Sequence, residues 1–408
     1  MKKKRLLVAL WLSVILLAGC SEINTGVTKP SVDPAVTATS PNNQGAAKET
    51  ADPDSPAAHV AVDANFEKIQ GHIKNIDYAD GNEIFIVADN LYLYNLDTGR
   101  VTAEISQGAF DQQRFQAIKN GYVAVEAKIS PGNSNGGLLT TDGGIAYNAI
   151  FYDRELNKES EFHFNTLLNG NETILSLEAI AFSADGTQAA YATSDGLYLY
   201  DFKKNQKTTV VDLKNDDYET RSGVVEIEQI GFTNEDKTLA FKAQSFDIPA
   251  VIGKPSFDTC GTVNLDGSGL SNRTFDNYTC KELTAYNKLL LLAEDFTMPS
   301  GRILVMEIPG GKTKLYTLIE KRESGFISGS DTGRYFATSL SDKTGWKIRV
   351  YNTNTGKLEA EQRISSDGEA LYMANDPIVK IMDDTRTYIV LVGAKQAGIE
   401  TKVVVGQF

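Results

Sequence analysis

The sequence predicts an all-β fold built from seven copies of one four-stranded antiparallel unit. Three observations carry this expectation. Strand-like runs recur in one order along residues 59–408. Turn formers, above all Asp-Gly, separate them at hairpin spacing. No segment holds the 3.6-residue apolar period of a helix.

The clearest unit is residues 177–213. LEAIAFS leads to the turn Ala184-Asp185-Gly186, QAAYATS to Asp195-Gly196, and GLYLYDF to KKNQ, and KTTVVDL closes it. The order repeats at 73–105 around Asp80-Gly81 and at 325–364 around Thr332-Gly333, with weaker copies at 114–165, 226–275 and 280–319. The first hairpin turns fall near residues 80, 120, 185, 236, 287, 332 and 384. Four strands in each period of about 40–65 residues are the signature of a β-propeller. Runs that are apolar on both faces, such as Leu289 to Ala293, suit blades sandwiched between neighbours.

The last repeat offers three strands, PIVKIM, TYIVLVGA and TKVVVGQF, and residues 60–69 form a strand-like segment ahead of the first blade. The economical expectation is a seven-bladed β-propeller of four-stranded antiparallel blades, with residues 60–69 completing the last blade. That leaves no large open sheet edge.

Ahead of this domain, Lys2 to Arg5 form a cationic stretch and Leu6 to Leu17 a short apolar one. The apolar run is too short for a permanent membrane span and reads as a signal peptide. Leu17-Ala18-Gly19-Cys20 then resembles the lipobox of bacterial lipoproteins. The resemblance implies lipidation of Cys20 and cleavage before it, so that residues 1–20 are signal peptide and lipidation site. Acyl chains anchor stably when two or more act together. Residues 21–58 are rich in Thr, Pro, Asn, Ala, Ser and Asp and nearly free of aromatics, so they offset none of the cost of ordering the backbone. They read as a disordered tether with a reach of about 35 Å.

Composition narrows the function. The net charge of −13 disfavours binding to nucleic acid, whose phosphates it repels. His59, His72 and His163 are scattered, and no His/Cys run suggests zinc. No Gly-rich loop opens a helix to cradle phosphate. Gly132-Asn133-Ser134-Asn135-Gly136 fits G-x-S-x-G, but a nucleophile elbow needs a strand before it and a helix after it; this run is all turn formers. Asn215-Asp216-Asp217 lacks the regular oxygen spacing of a calcium loop. We therefore expect no catalytic residues, no metal and no cofactor.

Three segments resemble known propeller families: FSADG at 182–186, GTVNLDGSGLSNRT at 261–274 and WKIRVYNTNTGKLE at 346–359. The first is similar to the FSPDG turn of TolB-like and WD-repeat propellers. The second resembles a TolB-type hairpin between third and fourth strands, and the third the equivalent hairpin of many bacterial propeller repeats. The chain departs from true WD repeats in having no Trp-Asp pair, and Trp346 is the only Trp beyond the signal peptide. The resemblance implies fold rather than function.

Cys260 and Cys280 are the two cysteines beyond Cys20. The third strand of a blade starts on the same face as the first strand of the next, which places the pair as neighbours and a disulfide in an oxidising compartment. Two buried thiols are the alternative. The longest connections between second and third strands, 130–144 and 245–258, share one face with the link 212–223. Loops on a rigid scaffold commonly carry binding residues, so Asn133, Asn135, Asp142, Asp216, Tyr218 and Asp247 are the candidate ligand-binding positions.

From these observations we expect a membrane-anchored, extracytoplasmic propeller lipoprotein that binds or scaffolds a protein or cell-envelope ligand. The anchor is expected in the outer leaflet of the cytoplasmic membrane, with an outer membrane as the alternative. A rival reading is a propeller hydrolase or lyase using carboxylates around the central channel.

Overall fold

The computed structural model describes residue 66 and residues 68–106, 113–129, 145–169, 172–213, 224–246, 257–273, 278–284, 288–295, 298–308, 311–325, 327–330, 332–342, 344–365, 377–393 and 402–408. All belong to the unit Asp54–Phe408. Cys20, the expected signal peptide and the expected tether lie outside them.

The described residues form six four-stranded sheets and one three-stranded sheet, each antiparallel and each in sequence order. Sheet 1 holds β1 (Asn75–Asp80), β2 (Glu83–Val87), β3 (Leu91–Asn95) and β4 (Arg100–Ile105). Sheet 2 holds β5 (Gln113–Ile118), β6 (Gly121–Ile129), β7 (Ile145–Tyr152) and β8 (Lys158–His163). Sheet 3 holds β9 (Ile180–Phe182), β10 (Gln188–Ala192), β11 (Gly196–Asp201) and β12 (Gln206–Asp212). Sheet 4 holds β13 (Val224–Thr233), β14 (Thr238–Phe246), β15 (Phe257–Asn264) and β16 (Ser271–Arg273).

Sheet 5 holds β17 (Tyr278–Thr284), β18 (Lys288–Asp295), β19 (Met298–Glu307) and β20 (Thr313–Thr317). Sheet 6 holds β21 (Ile327–Gly329), β22 (Tyr335–Asp342), β23 (Gly345–Asn352) and β24 (Leu358–Ser365). Sheet 7 holds β25 (Ile378–Met382), β26 (Thr387–Val392) and β27 (Lys402–Gln407). Helix is limited, among the described residues, to two short 3-10 turns at Phe164–Leu167 and Lys321–Gly325.

The first hairpin of each sheet falls where the turn formers place it. In sheet 3, Gly186 has φ +69, a left-handed conformation that costs glycine little. A Cβ there would also meet Ile118 Cδ1 at 2.7 Å, so a larger residue would have to push that side chain aside. Asp185 fixes the same turn by accepting the Thr187 N–H (2.9 Å) and the Ser183 hydroxyl (2.8 Å).

Alternation along the strands sends each sheet's two faces to different neighbours. On β2, Ile84 and Ile86 enter a core shared with Met382, Ile389, Leu391 and Val405 of sheet 7. Phe85 and Val87 enter a second core with Phe115, Tyr122 and Ile150 of sheet 2. Further cores join sheets 2, 3 and 4, sheets 4 and 5, sheets 5 and 6, and sheets 6 and 7. Each fully buried aliphatic or aromatic side chain contributes about 1.5–3 kcal/mol.

Two linkers between sheets are pinned by buried carboxylates. Glu323, fully buried before β21, pairs with the Arg349 guanidinium and accepts the Tyr351 hydroxyl (2.6 Å) and the Thr338 hydroxyl (3.1 Å). Glu172, before β9, accepts the Tyr198 hydroxyl (2.8 Å) and the backbone N–H of Asn169 (2.8 Å).

None of the expected closing strand at residues 60–69 is a strand among the described residues. Residues 60–65 and 67 lie outside the described residues. Phe66, Lys68 and Ile69 form no strand; Ile69 donates its N–H back to the Phe66 carbonyl (2.8 Å), which turns the chain instead of extending it. Both apolar side chains pack on the core between sheets 1 and 7, and the Phe66 ring lies 4.8 Å from that of Tyr94.

Candidate functional site

First strands of neighbouring sheets lie side by side, and polar groups on or beside them tie sheet 2 to sheet 3, sheet 3 to sheet 4 and sheet 7 to sheet 1. Gln116 on β5 treats the backbone of β9 as a strand partner. Its amide donates to the Phe182 carbonyl (2.7 Å) and accepts the Phe182 N–H (3.1 Å). Arg114 donates to the Ile180 carbonyl (2.7 Å). Lys119 N–H donates to the Ala184 carbonyl (2.7 Å), and Ile230 N–H on β13 to the Glu178 carbonyl (3.0 Å). Between β25 and β1, Lys380 Nζ donates to Asp77 Oδ1 (2.9 Å).

Where these strands end in their first hairpin turns, they wall a cavity of about 870 Å3. The walls come from sheets 1, 2, 3 and 4, with Thr332 and Asp384 from the first turns of sheets 6 and 7. Phe115, Phe182 and Phe232 back its walls, with their rings buried in the cores between the sheets. Six carboxylates line it, from Asp77, Asp80, Asp185, Glu235, Asp236 and Asp384, against three cations, Arg114, Lys119 and Arg154. The excess is negative.

Most of these carboxylates are already neutralised. Arg154 donates to Asp80 (2.5 Å) and to the carbonyls of Ile118 and Lys119. Arg334 pairs with Asp384 (3.2 Å), Lys237 with Glu235 (2.7 Å) and Lys380 with Asp77. Asp185 and Asp236 differ, because their hydrogen-bond donors are neutral. Asp236 Oδ2 accepts the N–H of Ala184 (2.7 Å) across the seam between sheets 3 and 4.

Their environments push the two apart. Burial raises the Asp236 carboxyl above the ordinary aspartate range, the Asp185 charge adds to this, and the Ala184 N–H opposes it. Burial acts upward on Asp185 too, but the Thr187 N–H, the Ser183 and Thr187 hydroxyls and the charge of Lys203 hold it below its ordinary value. Asn234, Glu235 and Asp236 all have left-handed φ, at 53, 55 and 60. This conformation is costly outside glycine and is less so for Asn and Asp. It brings the Asp236 carboxylate back over the preceding sheet.

At the opposite ends of the strands leave the long connections where binding positions were expected. Asn133, Asn135, Asp142, Asp216, Tyr218 and Asp247 all lie outside the described residues, as does the side chain of Cys280. Cys260 is buried on β15, opposite Lys242 and Arg273. Sequence reasoning had assigned Asp185 and the turn near residue 236 to turn chemistry alone. It passed over Asp77, Arg114, Lys119, Arg154 and Asp384. One signal was present: an acidic residue recurs at the first hairpin turn of several repeats, at Asp80, Asp185, Asp236 and Asp384.

No protein-family model matches the chain, and no curated protein matches it. Solved structures do. The chain is similar to the β-propeller domain of Cps50 (Swd1) from Myceliophteria thermophila, with 10% identity and a TM-score of 0.52, over 87% of this chain and 100% of that one. It is also similar to Kuenenia stuttgartiensis hydrazine synthase (12% identity, TM-score 0.47, 85% of this chain and 97% of that one). Similarity to a eukaryotic initiation factor is at 11% identity and a TM-score of 0.44, over 83% of this chain and 86% of that one. Identities this low speak to fold alone, and together with the antiparallel sheets the first of these likenesses makes the chain a β-propeller.

Proposed function

We infer that the protein is a lipid-anchored, extracytoplasmic propeller that binds or scaffolds a protein or cell-envelope ligand at the mouth of its central channel. The observation that carries this is the cavity of about 870 Å3, walled by the hairpin ends of first strands. It is within the size range of ligand sites, and it is concave and part apolar with convergent polar groups. The propeller fold agrees with a binding role, since such scaffolds present rigid, loop-built faces. The anchor rests on Leu17-Ala18-Gly19-Cys20 and the apolar run before it. We place the anchor in the outer leaflet of the cytoplasmic membrane.

The same reading has seven blades in a closed ring. Its support is that apolar cores join neighbouring sheets, including first to last. Residues before Phe66 would then complete sheet 7. We also propose a disulfide between Cys260 and Cys280. It is supported by the burial of Cys260 and by the approach of β15 to β17.

The experiment is crosslinking on intact cells followed by mass spectrometry, with three variants. Ala184→Trp adds an indole at the cavity wall and should abolish capture of the specific partner. Deletion of residues 131–141 should leave capture intact. Cys20→Ser should release the protein from the membrane fraction. Capture lost only in the deletion would move the binding site to the long-loop face around Asn133, Asn135 and Asp142.

A second reading, a propeller hydrolase or lyase, is favoured by one observation. Asp185 and Asp236 are neighbouring carboxyls pushed in opposite directions, which is the arrangement that separates a general base from a general acid. Turnover of an ester or glycoside by the purified protein, lost in Asp236→Asn, would establish it.

A further inference from the structure

We propose that the first hairpin turn of sheet 4, residues 234–237, is a strained latch that opens and closes the cavity mouth between sheets 3 and 4. Two independent features carry this: the backbone conformation of the turn, and the bond that holds it across the seam. Only the use of the latch in admitting a partner rests on the mouth as the binding site. The latch itself belongs to the free protein.

The strain stands out by comparison within the chain. The first hairpin turns of sheets 1, 3 and 6 each place a glycine in the left-handed region, Gly81, Gly186 and Gly333, with φ 55, 69 and 73. Glycine enters that region at little cost. In sheet 4 the ladder closes at Thr233 and Thr238, and the turn between them has no glycine. Asn234, Glu235 and Asp236 all take left-handed φ instead. Each is penalised by its Cβ, and Glu235 most, since Asn and Asp tolerate the region better. Such strain persists only where the surroundings hold it, and it gathers at clamps and switch regions.

The hold comes from sheet 3. Asp236 Oδ2 accepts the Ala184 N–H at 2.7 Å. Within the turn, the Lys237 N–H returns to the Asn234 carbonyl at 3.2 Å, and Lys237 pairs with Glu235 at the exposed surface. The corresponding contact between sheets 6 and 7 is built to stay shut. There Asp383, fully buried, accepts the Ser330 hydroxyl (2.9 Å), the Thr332 N–H (3.1 Å) and the Thr332 hydroxyl on one oxygen. Asp236 is only half-buried, and the neighbouring Asp185 charge opposes its own. One charge-assisted hydrogen bond and several left-handed residues are of similar magnitude, so the turn sits near balance. The sheet 3 side stays in place, because Asp185 and the bond from Gly186 N–H to the Ser183 carbonyl (2.9 Å) fix that turn from within. Opening frees the Ala184 N–H and carries Glu235 and Asp236 out of the cavity wall. The buried Thr233 and Thr238 are its fixed ends.

The test is hydrogen exchange of the full chain, read at single residues by mass spectrometry. The Ala184 amide reports the latch, and the Gly186 amide, bonded within its own turn, is the internal reference. Asp236→Ala should speed exchange at Ala184 by about tenfold, the scale of one hydrogen bond to a charged group, and leave Gly186 within about twofold. Asp236→Asn keeps an acceptor oxygen and should stay within about threefold of the parent. Glu235→Gly relieves the most strained position and should slow exchange at Ala184 by about fivefold. Lys237→Ala removes the surface pair alone and should shift exchange by less than about twofold. Unchanged exchange at Ala184 in Asp236→Ala or in Glu235→Gly would overturn the latch. So would Asp236→Asn exchanging as fast as Asp236→Ala, or equal acceleration at Gly186, which would mean a general loosening of sheet 3. These readouts need no partner. Their failure leaves the mouth reading to the capture experiment with Ala184→Trp, and failure of that experiment leaves the latch standing.

Discussion

Lys380 on β25 donates to Asp77 on β1 at 2.9 Å, joining the first and last sheets across 303 positions of sequence. Both side chains are partly buried, at 33% and 22% exposure. An ion pair of this kind contributes under about 1 kcal/mol by itself. Its neighbours on the same seam, Ile76, Ile86 and Tyr92 against Ile389, Leu391 and Val405, supply far more through apolar burial.

The seam gives the first prediction. Phe66 and Ile69 pack on it, so a chain starting at Gly71 should be about 2–4 kcal/mol less stable than one starting at Ala57. Thermal unfolding of the two would show this. Equal melting temperatures would mean that the segment before Gly71 does not hold sheets 1 and 7 together.

The buried pair in sheet 6 gives the second. Arg349, 4% exposed, is held by Glu323, Glu361 (2.6 Å) and Glu320 (3.0 Å). Glu323→Ala should cost about 3–5 kcal/mol, because it removes the one fully buried partner of Arg349, which keeps only the exposed carboxylates of Glu320 and Glu361, and takes the acceptor from the Tyr351 and Thr338 hydroxyls. The pair replacement Glu323→Leu with Arg349→Met should recover part of that loss, since the charges left behind, on Glu320 and Glu361, are exposed to water. Urea midpoints of the single and double variants would measure both; a double variant no better than the single would contradict it.

Acid sensitivity gives the third. The Thr344 N–H and hydroxyl, with Arg363, hold the Asp342 carboxyl down to about 2 from an ordinary value of 3.8. A carboxyl depressed in the folded state stabilises the fold above its unfolded value and loses that contribution as pH falls through its folded value. Asp342→Asn should therefore lower the melting temperature at pH 6, and the difference should shrink between about pH 4 and pH 2. A difference that stays constant across this window would contradict the assignment.

The cysteines give the fourth. Non-reducing peptide mapping should recover Cys260 joined to Cys280, and the Cys260→Ser variant should be about 3 kcal/mol less stable, as expected for a loop of about 20 residues. Free-thiol labelling of both residues in the native protein would rule the pairing out.

Much of the fold was legible because its determinants are local. Asp80-Gly81 and Asp185-Gly186 mark hairpin turns that β1–β2 and β9–β10 adopt, and the runs apolar on both faces announced sheets packed on two sides. The cavity was not legible, because it is assembled from residues with no sequence neighbourhood. Arg114, Asp236 and Asp384 meet only when first strands of different sheets come together. Asp236 was further concealed by its setting in Asn234-Glu235-Asp236, where a turn needs polar residues anyway. Phe66 and Ile69 read as a strand by alternation, but tertiary packing on the seam bends the chain there.

The most direct measurement is site-specific photocrosslinking on intact cells, with a photoreactive residue placed at Thr187 in the cavity wall or at the exposed Thr208 on β12. The account predicts one discrete crosslinked partner from Thr187, absent from Thr208 and lost when Ala184→Trp is added. A partner captured equally well from Thr208, or from Thr187 despite Ala184→Trp, would contradict binding at the channel mouth.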